Sequence, residues 1–513
     1  MAIFAAVDIG ANSVRLKIAE LARRKLAVIH EDREVTRLGE SVFRDGVLAP
    51  DAMAQTVKVL TRFYRATQKF RAEQVRIVAT SPLRDAKNSR AFLEWVKSAL
   101  GWKIEVISGL EEGRLIHLGV LSNLRIENKD VLMFDLGGGS CEVTISEHGH
   151  IREMFSLPLG AVRLTQEFLA HDPPLVDELE RMRTYIAEEV ARIAPAVEKY
   201  RIDLAIATSG TAAALAGAAR AIEGRSRYAV SVSRAFTGKM SQQLARCNAS
   251  ERAGYSGIGT RRAEIIIGGA FVFFGLMTRY NLPSFQYSPL GLRDGLLAQM
   301  AADADIGTRA HRQLEAERED ALVGMGRRYS VDARHAAHVR HLAMALFRAL
   351  AKIHGLTPPH ADWIAAAAML HEVGSYVNRM GRHRHTYYLI ANSELFGYSQ
   401  DERLLIAAIA RYMGKSRPSE RDQEVRSLRP TLRDPLRRAV LLLRMARALN
   451  QGRRAIVQEV KAKAQGSEVV LELNGKSGMD LEIWAAEKES GFFRDVFGRE
   501  LVVRAGNRKN AAK

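Results

Sequence analysis

The chain has 513 residues, 47% hydrophobic and 26% charged, so it can bury several cores and is not a disordered chain. Two cysteines, Cys141 and Cys247, exclude a disulfide framework, and no run of about 18 uncharged apolar residues offers a membrane-spanning helix. The formal net charge is +18; residues 1–305 hold 40 Lys/Arg against 35 Asp/Glu, and residues 306–513 hold 36 against 23, so a field that attracts polyanions is concentrated in the C-terminal part.

The elements read in chain order as follows. MAIFAAVDIG has no basic leader and is interrupted by Asp8, so it is a first strand rather than a signal peptide, and a reducing cytoplasm is the expected compartment. IFAAVDIGANSVRL at 3–16 is strand, tight turn, strand, and LAVIHE at 26–31 continues the β pattern. Helices are expected at 51–70, 88–99 and 110–122, and VRIVATSPLRDAKN at 75–88 runs a strand into a small-residue turn. The plan then repeats. DVLMFDLGGGSCEV at 130–143 aligns with 3–16 through Asp8/Asp135, Gly10/Gly137 and Ser13/Ser140, about 127 residues on. IREMFSL at 151–157 is β-like, helices are expected at 175–200, 234–247 and 263–279, and DLAIATSGTAAAL at 203–215 turns a strand into a helix N-terminus, where anions bind. Two copies of one α/β unit imply a pseudo-symmetric pair with a cleft between them.

Near residue 306 the pattern changes. Residues 311–455 are helical in period, rich in Ala, Leu and Arg, and hold nine of the 14 histidines. Short β-like runs return at 468–473, 481–484 and 499–504, and Arg508 to Lys513 form a basic tail. The expected division is 1–124, 125–305, 306–455 and 456–513.

A D-x-G-x-x-S turn suits phosphate. Glycine lets successive N–H groups point inward, the Ser hydroxyl adds a donor, and the Asp at the strand end can hold a divalent cation. One such turn occurs by chance in ordinary hairpins; two in register, joined by the ATS and ATSGT turns, make a phosphate site the better reading.

The segments VDIGANSVRL (7–16), VATSPLRDAKN (78–88), VISGLEEGRLIHLGV (106–120), FDLGGGSCEV (134–143), ATSGT (207–211) and SPLGLRDGLL (288–297) resemble, in order and spacing, the exopolyphosphatase/guanosine pentaphosphate phosphatase (Ppx/GppA) family of the actin, sugar-kinase and chaperone ATPase superfamily. The resemblance covers the whole chain. It implies two actin-like (ribonuclease H-like) α/β domains flanking a cleft, then an all-α HD-like domain and a small α+β domain, as in the long family members. It implies hydrolysis of the terminal phosphate of inorganic polyphosphate, or of guanosine pentaphosphate as the alternative, with Mg2+ or Mn2+; a K+ requirement is left open, and a homodimer is expected.

Residue by residue, the resemblance makes Glu112 the catalytic base, with Glu111 less favoured. Asp135 and Glu142 would hold the metal, with Asp8 sharing. Gly137, Gly138, Gly139 and Ser140 would cradle phosphate on one side and Asn12, Ser13, Gly210 and Thr211 on the other, with Arg84 and Arg15 neutralising it. Arg262 and Arg293 are further basic positions, equally suited to interdomain ion pairs. Arg379, Arg382, His383, Arg384, His385, Lys415 and Arg417 are candidates for a basic path that permits repeated cycles; a solvated loop is the plainer reading.

His335, His338 and His341 lie three apart, and His371-Glu372 is similar to the pair that names the HD phosphohydrolase fold. Here Glu replaces Asp and no terminal Asp ligand is evident, so a structural or substrate-guiding domain is expected rather than a second active site. Two other classes share some of these features. An ATP-driven kinase or chaperone would share the two turns but lack SGLEEGRL and the helical third domain. A nucleic-acid module would use the basic surface, but no helix-turn-helix, zinc-finger or RNA-binding aromatic pattern is present.

Overall fold

The computed structural model describes residues 2–124, 126, 128–223, 231–305 and 308–506. They form two compact units, 1–312 and 313–513.

The first unit holds two sheets that repeat one topology. In the first, β1 (Ala2–Ile9), β2 (Ser13–Ala22) and β3 (Lys25–Val35) form an antiparallel meander. β4 (Gln74–Ala79) and β5 (Glu105–Val106) then add in parallel beyond β1, giving the order β3-β2-β1-β4-β5. The second sheet repeats the meander with β6 (Asp130–Leu136), β7 (Cys141–Glu147) and β8 (His150–Leu157). β9 (Leu204–Thr208) and β11 (Ser284–Tyr287) add in parallel, with β10 (Ser231–Ser233) antiparallel at the edge. The parallel steps need crossovers, and helices Pro50–Lys69 and Val176–Val197 lie in corresponding ones. Helix ends follow local chemistry: Pro50 sits in the first turn of its helix, and Gly101 closes Ser89–Leu100 at φ +67°.

Two helices bring the halves together. Gly109–Leu121 and Leu292–Ala304 pack with Phe4 and Val78 of the first sheet and Val131 and Met133 of the second in one buried cluster. They cross closely because of glycine: a Cβ on Gly295 would lie 1.8 Å from the carbonyl oxygen of Leu115, and one on Gly119 2.7 Å from the amide nitrogen of Gly295. Leu115, Leu296 and Val120 are fully buried there, each contributing about 1.5–3 kcal/mol by removal from water. The crossing fixes the N-terminal turns of both helices, which carry Glu112 and Arg293.

The second unit contains helices Ala333–Ala349, Pro359–Leu370, Arg382–Asn392, Gln400–Arg411 and Pro430–Ala448 around a core including Leu342, Leu346, Ile406 and Leu442. A three-stranded sheet follows, β12 (Val457–Gln465), β13 (Glu468–Gly475) and β14 (Glu500–Ala505), in the order β12-β13-β14. The β-like run at 481–484 is instead part of helix Asp480–Glu487. Its four-residue alternation is too short to discriminate the two periods: Glu482 turns inward to accept from Gly452 N at 3.0 Å, and the buried Ala485 and Ala486 continue the helix. β12 carried no expectation, because VQEVKAKAQ is mostly polar and exposed. The basic tail at 508–513 lies outside the described residues.

Candidate active site

The two D-x-G-x-x-S turns close identically: Gly10 N donates to Ser13 O at 3.2 Å and Gly137 N to Ser140 O at 2.9 Å. They face each other across the halves. A Cβ on Gly138 would lie 2.8 Å from Ala11 Cβ and 3.3 Å from Asn12 N, and one on Gly139 would fall 2.1 Å from Ser81 Oγ. None of Gly10, Gly137, Gly138 and Gly139 has a left-handed backbone. Glycine is required at 138 and 139 for close approach. The left-handed conformation falls instead on Ser209 (φ +79°), between β9 and helix Ser209–Glu223, where its Oγ donates to Leu136 O at 2.6 Å.

Between the turns lies a cavity of about 240 Å³. It brings together Asp8, Asn12, Ser13, Arg15, Glu112, Asp135, Gly137, Gly138, Ser140, Gly210, Arg262 and Arg293. Glu142 stands behind it, 2% exposed. Arg84, on helix Ser81–Asp85, does not line the cavity but stands beside it: its guanidinium donates to Ile107 O at 2.7 Å and lies 3.7 Å from Glu112 Oε2. Gly139 and Thr211 pack behind the cavity, Thr211 against Gly269. Glu111 points away, paired with the buried Arg114 at 2.8 Å, so only Glu112 of the two faces the cavity.

Glu112, Asp135 and Glu142 place carboxylate oxygens within 4.8 Å of one another. Asp8 lines the same cavity but is not one of that trio. Burial, and for Glu112 also the neighbouring Glu142, pushes the carboxyls of Glu112, Asp135 and Asp8 above the usual range; Glu142 is pushed up to about 7 by burial and by Asp135. Glu112 Oε2 and Glu142 Oε2 are buried without hydrogen-bond partners among the described residues. Such groups are costly unless something positive sits among them, and a hard divalent cation with oxygen ligands fits this donor set. Neighbours aim the trio: Ser156 Oγ donates to Glu142 Oε1 at 2.9 Å, and Thr208 Oγ1 donates to Asp135 Oδ1.

The same cavity is lined by four arginines, Arg15, Arg33, Arg262 and Arg293. Arg262 is 8% exposed and covers Gly210 so tightly that a Cβ there would lie 1.6 Å from its Nη2. Burial and the facing Arg15 and Arg33 lower the Arg262 guanidinium to about 9. Arg293 donates to Leu16 O at 3.0 Å, so part of its role is structural. Arg33, Thr208, Ser156 and Asp294 were not found from sequence. Arg33 lies outside every motif, and only the β2–β3 pairing that sets it opposite Arg15 reveals it.

In the second unit, Arg379, Arg384 and Lys415 are exposed, and Arg382, His383 and His385 are half-buried. Burial and the facing Arg382, Arg447, Arg411 and Arg444 lower His383 to about 4, so it adds no positive charge near neutral pH. Arg417 pairs with Asp495 and covers the Phe492 ring at 4.8 Å. His335, His371 and Glu372 bring donor atoms within 4.8 Å; each has a neighbour on one atom, while His371 Nε2 is buried with no hydrogen-bond partner among the described residues. Arg453 pairs with Glu372, and His371 Nδ1 bonds Ala368 O at 2.7 Å. Asn450, whose Oδ1 accepts from Ala455 N at 3.1 Å, donates to His335 Nδ1 at 2.9 Å, leaving that ring's proton on Nε2.

Comparison with known proteins agrees with the geometry. The model of the Ppx/GppA phosphatase family matches residues 17–304, and that of Ppx/GppA phosphatase domain III matches residues 318–483. The chain is 34% identical over 316 residues to exopolyphosphatase 2 of Mycobacterium tuberculosis, an alignment spanning 58% of this chain and 98% of that one. Among solved structures it is similar to the Aquifex aeolicus member of the Ppx/GppA family, with TM-score 0.52 and 30% identity over 59% of this chain and 99% of that one. An exopolyphosphatase from Cytophaga hutchinsonii, with TM-score 0.56 over 60% of this chain and 100% of that one, shares the fold at 23% identity. No helix among the described residues is long and apolar enough to cross a membrane. The chain belongs to the Ppx/GppA phosphatase family and is a hydrolase of phosphoanhydride bonds.

Proposed function

We propose that this chain is an exopolyphosphatase, removing the terminal phosphate of inorganic polyphosphate as orthophosphate. The observation that carries the reading is that one cavity gathers buried carboxylates together with four arginines, Arg15, Arg33, Arg262 and Arg293. A polyphosphate end matches both: its last phosphate meets the carboxylates, and the chain behind it lies along the arginines.

Glu112 accepts the proton of the attacking water. The new P–O bond forms as the terminal P–O–P bond breaks, and the shortened chain leaves with the freed negative charge, neutralised by guanidinium groups. Asp135 and Glu142 would hold Mg2+ or Mn2+, which supplies positive charge against the phosphate oxygens. Ser140, the N–H groups of residues 138–140, Asn12 and Ser13 orient the phosphate; Asn12 Nδ2 is buried without a hydrogen-bond partner among the described residues and suits an oxygen of the substrate. Arg84 restrains Glu112 by its 3.7 Å approach.

The excess of 36 Lys/Arg over 23 Asp/Glu in residues 306–513 supports a guided, processive path through an HD-like domain. Four domains divided at 124/125, 305/306 and 455/456, a homodimer and a cytoplasmic location complete the reading. Orthophosphate release from polyphosphate that a chelator abolishes and Mg2+ restores is the expected result. Release from guanosine pentaphosphate alone would move the protein to the alternative substrate.

A further inference from the structure

We infer that Arg163, which belongs to neither the phosphate turns nor the carboxylate trio, is a positioning residue that ties assembly of the phosphate cradle to closure of the two halves of the first unit. The inference rests on the proposed phosphohydrolase reading of the cavity.

Arg163 lies on helix Ala161–Phe168, which begins just after Gly160 packs on Gly139. Besides an approach of its Nη1 to Glu167 Oε1 at 3.5 Å on its own helix, one guanidinium makes three engagements that join separate segments. Its Nε donates to Gly139 O at 2.8 Å, its Nη2 pairs with Asp85, and its plane covers the Phe43 ring at 4.3 Å. Phe43 and Asp85 belong to the first half; Gly139 and Arg163 belong to the second.

Each contact bears on a group used in the reaction. Fixing the Gly139 carbonyl fixes the peptide plane it shares with the Ser140 N–H, so the direction of that donor is set from outside the cavity. Asp85 follows Arg84 on the five-residue helix Ser81–Asp85, so holding Asp85 holds the backbone from which Arg84 reaches Glu112. Phe43 is also the side chain that a Cβ on Gly139 would meet, at 2.4 Å. The cradle and the restraint on the base are thus joined through one side chain that would touch neither substrate nor metal. If the halves part, the Asp85 and Phe43 contacts break and the two catalytic segments lose their common reference. A misplacement of about 1 Å at such a site costs on the order of 100-fold in rate.

The test uses the full chain with Arg163→Gln, Arg163→Lys, Asp85→Asn and the double variant Arg163→Gln/Asp85→Asn. Orthophosphate release from tripolyphosphate with Mg2+ should show kcat lowered about 10–100-fold in Arg163→Gln, with KM little changed and partial recovery in Arg163→Lys. Asp85→Asn should lower kcat in the same direction, and the double variant should be no worse than Arg163→Gln, since both changes cut one link. Amide exchange, which needs no turnover, should rise in residues 81–85 and 137–140 together in both single variants. Wild-type kcat in Arg163→Gln, or faster exchange at 137–140 with no change at 81–85, would overturn the inference. Asp85→Asn decides it if Arg163→Gln does not fold: unchanged kcat and exchange would overturn it. A wild-type chain that releases no orthophosphate would reject the functional reading, and the exchange result would still decide the coupling.

Discussion

Glu112→Gln separates the proposed chemistry from the architecture. The substitution keeps the volume of the side chain and removes its capacity to take a proton. A positioned general base contributes about 100- to 10,000-fold, and at 1.36 kcal/mol per decade that is about 3–5 kcal/mol of barrier. The fold should not suffer. Glu112 Oε2 has no hydrogen bond to lose, and its ion partner Arg84 keeps its 2.7 Å bond to Ile107 O. Removing one of three mutually repelling buried carboxylates leaves the melting temperature unchanged or raises it. Substrate affinity should hold or tighten, since the ligand is an anion. The assay is initial orthophosphate release from tripolyphosphate at several Mg2+ concentrations, with melting temperature and tripolyphosphate binding measured on the same samples. A rate within tenfold of wild type would refute Glu112 as the base. Loss of activity that excess metal restores would instead make Glu112 a metal ligand, a role its place in the carboxylate trio also permits.

Four further outcomes are expected. The carboxyls of Asp8, Glu112, Asp135 and Glu142 are raised in the folded chain. Their contribution to stability is therefore fullest below their unfolded values and is lost as pH rises, for Glu142 through about 7. Metal-free protein should lose melting temperature between pH 5 and 8, and Mn2+ should reduce that loss; a flat or rising profile without metal would count against the assigned burial. Asp135→Asn should weaken Mn2+ binding, measured calorimetrically, by at least tenfold, and Thr208→Val by less, because Thr208 only orients that carboxylate. Gly139→Ala should cost about 1–3 kcal/mol in denaturant unfolding, since its Cβ would meet Phe43 at 2.4 Å and Ser81 Oγ at 2.1 Å. Arg33→Gln should leave the unliganded melting temperature unchanged, because its side chain makes no hydrogen bond or ion pair among the described residues, yet weaken tripolyphosphate binding to the Glu112→Gln protein; equal binding would remove Arg33 from the substrate contacts.

The strand-turn-strand repeat was legible because Asp, Gly and Ser recur at the same spacing in two apolar contexts, and it becomes two sheets of one topology. Asp8, Glu112 and Asp135 were legible for the same reason, as polar residues at the ends of apolar runs or in a matched segment. Arg33 was not, because on a strand with Asp32 and Glu34 it reads as one more charge on a solvated face. Asp32 and Glu34 do turn to Arg62, at 2.9 and 3.3 Å, and only the register that pairs Arg33 with Arg15 shows that it turns to the cavity. Arg163 was hidden because its partners Asp85 and Gly139 are remote in sequence and ordinary in type. The close approach at the glycines was hidden for a related reason: what a glycine makes room for depends on what lies opposite, as Ser81 and Phe43 do at Gly139. The run at 481–484 failed on length, since four residues fit both periods.

The central claim is that the cavity hydrolyses the end of an inorganic polyphosphate chain. The most direct test measures orthophosphate release, with Mg2+ and at matched enzyme, from long-chain polyphosphate and guanosine pentaphosphate in parallel, and resolves the remaining chains by length. The account predicts faster release from polyphosphate, with the remaining chains either full length or fully consumed. Faster release from the nucleotide, or fragments of intermediate length produced by internal cleavage, would contradict it.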